Sequence, residues 1–549
     1  MLAINFLVNE ILAVPAFLIG IITAVGLSAL RKPVGTVIGG ALKTTLGFLL
    51  ISAGATLVTA SLEPLGTMIT GATGAHGVVP TNEAIVGIAQ QHYGSQVAWL
   101  MIAGFAVSLL LARITPLHYV FLTGHHVLFM ATLLTIVLAT AGYNGWVVIA
   151  FGAVLLGILM VSLPALAHPW TRSVTGDNSI AIGHFGTVGY IAAGAVGKAV
   201  GNRRGHESPS TEKLTLPEGL RFLRDSMVAT ALSMALMYVI LAIIVLLRAG
   251  RAEAYSAFED GATSVGNYIM QAVTQGLQFG VAVAVILFGV RTILGELVPA
   301  FQGIAAKIVP GAIPALDCPI VFPYAQNAVL IGFIASFAGG LVGLAVLSTW
   351  LNPAFGVALI LPGLVPHFFT GGAAGVYGNA TGGRLGAAFG AFVNGLIITF
   401  LPAFLLGVLG AFGSENTTFG DADFGWFGIL IGSAAGLPSA LGLVLIAASG
   451  AVILGLAIVV QKRLVDGGWV RHRDAGLAAM VALLGVLAMP RARLLGAPIP
   501  RSLPQSVRPL HLRTSTLIRE RCTARCAYVQ ARQWGVFRPG DKHTFTPVR

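Results

Sequence analysis

Eighteen residues, Pro310 to Asn327 (PGAIPALDCPIVFPYAQN), most constrain what this chain can fold into. Prolines at 310, 314, 319 and 323 surround Asp317. Proline lacks the N–H a helix needs and clashes with the preceding turn, so this spacing excludes a continuous helix. The flanks, 281–290 and 328–350, are apolar enough to lie in a membrane. Irregular backbone at membrane depth is tolerated only where it lines a cavity or is buried in protein. A carboxylate there is costly and marks a functional position by default. The competing reading is an ordinary cytoplasmic loop with a capping Asp.

Composition sets the class. The chain is 56% hydrophobic and 9% charged, against about 25% charged in soluble domains. Apolar runs of about 20 residues recur, which predicts an all-α polytopic membrane protein. The 70 glycines suit close helix packing and broken helices. The start, MLAINFLVNE, has no basic region and is expected to enter the first span rather than act as a cleaved signal.

The runs fall at 11–30, 34–60, 97–111, 120–139, 146–163, 227–247, 267–290, 328–350, 354–361 and onward, 385–409 and 427–460. They predict about eleven spans. Residues 61–96 carry Glu63 and Glu83 but no Lys or Arg and are expected outside, dipping back at GVVPTNEA (77–84). The loop with Glu415, Asp421 and Asp423 is also expected outside. Arg31-Lys32, Arg113, Arg172 and the 201–226 loop are expected in the cytoplasm, giving an N-out, C-in chain. An odd number of spans before that loop inverts the second half. Both halves carry a broken stretch, TGDNSIAIGHFGTVGY (175–190) and 310–327. Paired interruptions point to a midplane site between inverted repeats. The expected membrane body is 1–474, with halves of about 1–200 and 227–474.

The net charge of +12 is mostly a property of the tail. Beyond Asp474, twelve basic residues face only Glu520 and Asp541, so 475–549 carries +10 and the body +2. The tail is Arg-rich, lacks periodicity and reads as disordered. Nucleic-acid binding would rest on it alone and is not expected. Of three cysteines, only Cys318 belongs to the body, so no disulfide framework is implied. There is no metal-ligand spacing and no Walker loop, so no metal or cofactor is expected, nor an ATP-driven pump.

A small polyhydroxylated ligand needs directed donors and acceptors in a dry cavity. His125 and His184 can each supply one of both, and Asn82 and Thr123 are similarly suited. By periodicity alone either His reads first as a core imidazole bonded to backbone. His126, adjacent to His125, is expected on another helix face. Asp317 suits either hydroxyl binding or proton acceptance, and Glu83 is a weaker candidate for the same work.

Five collinear pieces carry a resemblance: LRKPVGTVIGGALKTTLGF (30–48), LTGHH (122–126), VTGDNSIAIGH (174–184), PGAIPALDC with NAV (310–329), and PGLVPHFF with GVYGN (362–379). Over 2 to about 473 the chain resembles ascorbate-type enzyme IIC, the membrane component of a bacterial sugar phosphotransferase system. The resemblance implies a homodimer of eleven-span protomers in the inner membrane, each with a substrate-binding core and a scaffold. It implies inward carriage of ascorbate or a related carbohydrate. Phosphorylation would be by a separate enzyme IIB, whose donor cysteine is charged by enzyme IIA. Substrate contacts would fall on His125, His184, Asp317 and the Asn82-Glu83 region. Phe129 and Phe185 stand where the family pattern can have Gln, replacing polar contacts by apolar area. An ion-coupled secondary transporter of a polyhydroxylated solute is the other function that broken inverted repeats serve.

Overall fold

Backbone that leaves the helix inside hydrocarbon must find other hydrogen-bond partners. The computed structural model, which describes residues 15–203, 206–214, 226–258 and 261–466, shows that short strands provide them. In chain order the main elements are α1 (Pro15–Ala29), α2 (Val34–Thr73), β1 (Gly77–Pro80), α3 (Asn82–Ile114), β2 (Tyr119–Phe121), α4 (Gly124–Thr140), α5 (Gly145–Thr175), β3 (Ala181–Ile182) and α6 (Thr187–Gly201). Then come α7 (Ser226–Arg248), α8 (Val265–Ile308), β4 (Ile313–Leu316), a 3-10 helix (Cys318–Tyr324), α9 (Gln326–Val346), β5 (Leu359–Ile360), α10 (Leu364–Leu405), β6 (Thr417–Thr418), α11 (Ala422–Ala435) and α12 (Ser439–Val460).

The protein is a helical, multi-pass membrane protein. Among the described residues, eight helices are long and apolar enough to cross a bilayer, and three shorter apolar helices accompany them. Their outer faces carry bare apolar side chains, including Val34, Leu42, Leu46 and Trp146. Water would not tolerate so many, whereas lipid does.

The strands form two parallel triples. One has the order β5-β1-β6, with β1 in the middle; the other has β4 between β2 and β3. Each triple takes its middle strand from one half of the chain and its outer strands from the other. Leu122 N–H donates to Ala315 O at 2.9 Å, Ile313 N–H to His118 O at 2.8 Å and Gly183 N–H to Leu316 O at 2.7 Å. In the other triple, Leu361 N–H donates to Val78 O at 2.9 Å and Thr81 N–H to Thr418 O at 2.8 Å. Pro314 sits in a central strand without loss. Its nitrogen faces β3, which begins opposite Ala315, one residue later.

Helices α9 and α10 pack backbone to backbone. A Cβ at Gly332 would lie 2.7 Å from Gly375 Cα, a contact only glycine permits. Helix α10 breaks at Gly382 and Gly383, the latter with φ +58°. A strap, 208–214, covers the break: Arg384 N–H donates to Pro209 O at 2.8 Å and Thr211 N–H to Asn379 Oδ1 at 2.9 Å. Its Glu212 Oε1 accepts from Asn327 N at 2.9 Å and Ala328 N at 3.2 Å, capping α9.

Several sequence expectations need correction. Residues 61–96 are not a polar excursion: α2 runs on to Thr73, and Asn82 opens a 33-residue helix. Asn82 and Gln90 are buried and hydrogen-bonded within the protein, which a charge count does not register. Residues 354–361 hold β5 instead of the start of a passage. The run 427–460 is two helices, divided where Pro438 interrupts it. Asp421 and Asp423, expected in an exposed loop, are 3% and 0% exposed. The beginning of the first span, residues 215–225 of the central loop, and the basic tail 475–549 lie outside the described residues.

Gly383→Ala is expected to dislodge the strap. It would force a side chain into left-handed backbone and into the carbonyls of Ser208 and Pro209, at about 1–3 kcal/mol. Trypsin should then cut at the exposed Lys213 several-fold faster, as about 1–3 kcal/mol of local destabilisation implies; an unchanged rate would show that the strap does not depend on the break.

Candidate functional site

Parallel strands end on the same side, so the three turns that leave β2, β3 and β4 converge. The turn after β2 carries Thr123, His125 and His126 into the first turn of α4; the turn after β3 carries His184; Asp317 follows β4 directly. His125 Nε2 lies 3.4 Å from Asp317 Oδ2, and His184 Nε2 lies 3.9 Å from Asp317 Oδ1. Asp317 also caps the 3-10 helix, accepting from Cys318 N at 2.7 Å. This carboxylate therefore caps a helix and faces the two imidazoles at once. Its side chain is 38% exposed, against 4% for His184, so the cluster is open on the Asp317 side and closed behind His184.

The second triple ends against the first. Asn82, at the start of α3, donates through Nδ2 to Asp421 Oδ2 at 2.8 Å and accepts from Gly420 N at 2.8 Å. Its amide is therefore committed to the turn after β6. That turn reaches the His184 loop: Asp423 N–H donates to Phe185 O at 2.8 Å. The Asp423 carboxylate accepts from Thr187 N at 2.7 Å, Val188 N at 3.1 Å and Trp426 Nε1 at 2.8 Å. An acidic group thus sits at the N-terminus of α6, where the exposed N–H groups favour it.

Two of the sequence-predicted residues hold unused polar atoms. Thr123 Oγ1 and Glu83 Oε2 are buried with no hydrogen-bond partner, and such groups are costly unless something answers them. Thr123 belongs to the His125 turn, whereas Glu83 belongs to the Asn82 turn.

His126 does not point to another face. Its ring centroid lies 3.7 Å from that of His184, and its ring is parallel to Phe424 at 5.9 Å. Adjacent helix residues diverge, yet at a helix N-terminus both can flank one crossing point: His125 meets Asp317, His126 meets His184. Phe185 stacks on Phe121 at 5.1 Å and tilts against Phe424 at 5.6 Å, forming the wall behind His126. Phe129 meets the edge of His125 at 5.7 Å. Donor atoms of His125, His126 and Asp317, and of His126, His184 and Asp421, lie within 4.8 Å of one another, as a metal site would require.

Asp421, Asp423 and His126 are the residues that sequence reasoning missed. The signal for the acidic pair was TFGDADFGW, two carboxylates among aromatics with no basic neighbour. Buried, hydrogen-bonded carboxylates are costly to keep and are retained for positioning or chemistry.

The family model described as EIIC-GAT, PTS system sugar-specific permease component, matches residues 10–423. The chain is similar to the ascorbate-specific PTS system EIIC component of Mycoplasma pneumoniae, at 27% identity over 417 residues. That alignment covers 68% of this chain and 62% of the relative, so the chain spans less than two thirds of the relative's length. On the strength of a family match that runs through both strand triples and every residue of the His–Asp cluster, this chain belongs to the sugar-specific permease components of the phosphotransferase system.

Proposed function

We propose that the chain imports ascorbate or a related carbohydrate and presents it for phosphorylation by a separate enzyme IIB, itself charged by enzyme IIA. The observation that carries this reading is the meeting of His125, His184 and Asp317 at the ends of one strand triple, open on the Asp317 side. Substrate hydroxyls would be held by His125, His184 and Thr123, with Glu83 as a further acceptor and Asn82 fixing Asp421. A hydroxyl on that open side is reachable by a partner's phosphocysteine. Asp317 would take the proton of the attacking hydroxyl as the O–P bond forms and the S–P bond breaks, the thiolate leaving on enzyme IIB.

The finer architecture follows the same reading. The eight long and three short apolar helices among the described residues support an eleven-span protomer. The reciprocal exchange of middle strands supports inverted halves of about 1–200 and 227–474. The protomer would form a homodimer in the bacterial inner membrane, N-terminus outside and C-terminus cytoplasmic, with 475–549 as a separate basic tail.

Asp423 would be a positioning residue, holding the His184 turn without touching substrate. Asp423→Asn replaces one acceptor oxygen by a donor facing backbone N–H groups. Substrate affinity should fall about tenfold or more, with an earlier thermal unfolding transition, since charged hydrogen bonds of this kind contribute about 1.5–3 kcal/mol. Unchanged affinity by equilibrium binding would remove Asp423 from this role.

Asp317→Asn keeps the capping acceptor but removes the negative charge and basicity. Binding should survive within a few fold while enzyme-IIB-dependent phosphorylation falls by about 10²–10⁴. Both are measured on one purified variant. Weaker binding with a normal rate at saturation would make Asp317 a ligand contact only. Normal values for both would reduce it to a cap. In vesicles, phosphorylated solute is the expected product; free solute accumulated on an ion gradient would overturn the phosphorylation step.

A further inference from the structure

Helix α8 carries a cation that the site described above does not use. The run 281–290 is apolar, and Arg291 follows it inside the span Val265–Glu296. An arginine within a membrane-spanning helix is costly and is kept for a partner or a ligand. Among the described residues no ion pair or hydrogen bond holds Arg291, which is exposed. The acid of this helix, Glu296, is engaged elsewhere: Lys43 of α2 holds it at 2.8 Å.

The packing of α8 sets Arg291 beside the His125 turn. Leu294 Cδ2 lies 2.4 Å from where a Cβ on Gly124 would sit, so α8 touches the residue before His125. Leu294 and Gly124 also line one small apolar cavity, together with Phe121 and Val127. Arg291 precedes Leu294 by one turn, on the same face of the helix. From there its charge bears on the His125 imidazole, as does that of Asp317 at 3.4 Å. His125 and Asp317 are also the open members of the cluster, with side chains 29% and 38% exposed. The open side therefore has an anion and a cation about His125.

A phosphoryl group that arrives on this side brings negative charge toward a carboxylate. During transfer that charge is spread over its non-bridging oxygens, and a cation already fixed in place lowers the barrier most. The planar guanidinium fork matches two such oxygens at once, which a point charge does not. We propose that Arg291 is the phosphoryl clamp of this permease. It holds the non-bridging oxygens while the ligand hydroxyl attacks phosphorus, the hydroxyl proton passes to Asp317, the S–P bond breaks and the partner keeps the thiolate. The phosphoryl group keeps its charge throughout, so Arg291 holds the product's phosphate as well. The carbohydrate itself stays with the histidine turns. This deepens the proposed phosphorylation and rests on it. A lipid headgroup offers the same phosphate oxygens, so the test must separate the two sources.

Calorimetric titration of the full chain in maltoside micelles, which contain no phosphate, compares L-ascorbate with its phosphate monoester at a side-chain hydroxyl. In Arg291→Gln the monoester should lose about thirtyfold in affinity, the scale of lost charged hydrogen bonds, while L-ascorbate stays within about threefold. Arg291→Lys keeps the charge without the fork and should lose less than Arg291→Gln. Phosphorylation by charged enzyme IIB, at saturating L-ascorbate, should fall about a hundredfold or more in Arg291→Gln. Equal losses for the two ligands would make Arg291 a contact to the ligand's own charge or a packing residue, and would overturn the clamp. Unchanged affinity for the monoester, with earlier thermal unfolding only in phosphatidylcholine vesicles, would assign Arg291 to a lipid headgroup and overturn it too. Should Arg291→Gln not fold, Arg291→Met removes the same charge and takes its place. Failure of the parent protein to bind L-ascorbate would overturn the carbohydrate reading and the clamp with it. A parent that binds L-ascorbate leaves the comparison with Arg291→Gln to decide the clamp alone.

Discussion

Unpaired backbone in hydrocarbon has nowhere to turn but to other backbone, and the architecture of this protein follows from that. Four of the six strands in the parallel triples are only two or three residues long, too short to be stable alone. They persist because helices enclose them and because leaving their N–H and C=O groups open would cost several kcal/mol each. Once the strands are parallel, the turns that leave them must converge. The His–Asp cluster is a result of that geometry and needs no separate scaffold.

Reinforcement comes from groups that never face a ligand. Asp423 holds the His184 turn at two backbone N–H donors, and Asn82 fixes Asp421. The bonds to Thr187 and Val188 join the two triples, so the position of His184 depends on a turn more than two hundred residues away. Phe121, Phe185 and Phe424 close the space behind these contacts. Their packing leaves no room for solvent to compete with the hydrogen bonds in front of them.

The parts of this arrangement legible in the sequence are those with a strong local cost. Four prolines around Asp317 broadcast a broken segment, and His125 and His184 stand out as polar groups in apolar surroundings. The membrane class follows from composition. Strand register was not legible, because two or three residues carry no periodicity. His126 escaped because helical spacing describes the middle of a helix better than its first turn. Asp421 and Asp423 escaped because an acidic pair between apolar runs has the same charge whether it lies in water or is held by N–H groups inside the protein.

The exchange of middle strands has a consequence for biosynthesis. Strand β1 ends at Pro80, but its partners β5 and β6 begin only at Leu359 and Thr417. At about 5–20 residues per second, the ribosome needs on the order of tens of seconds to make them. For that interval the first half sits in the membrane with the β1 segment lacking its final partners. The second half completes the first instead of being added to it, so premature termination in the second half leaves an unfinished first half, not a smaller folded protein.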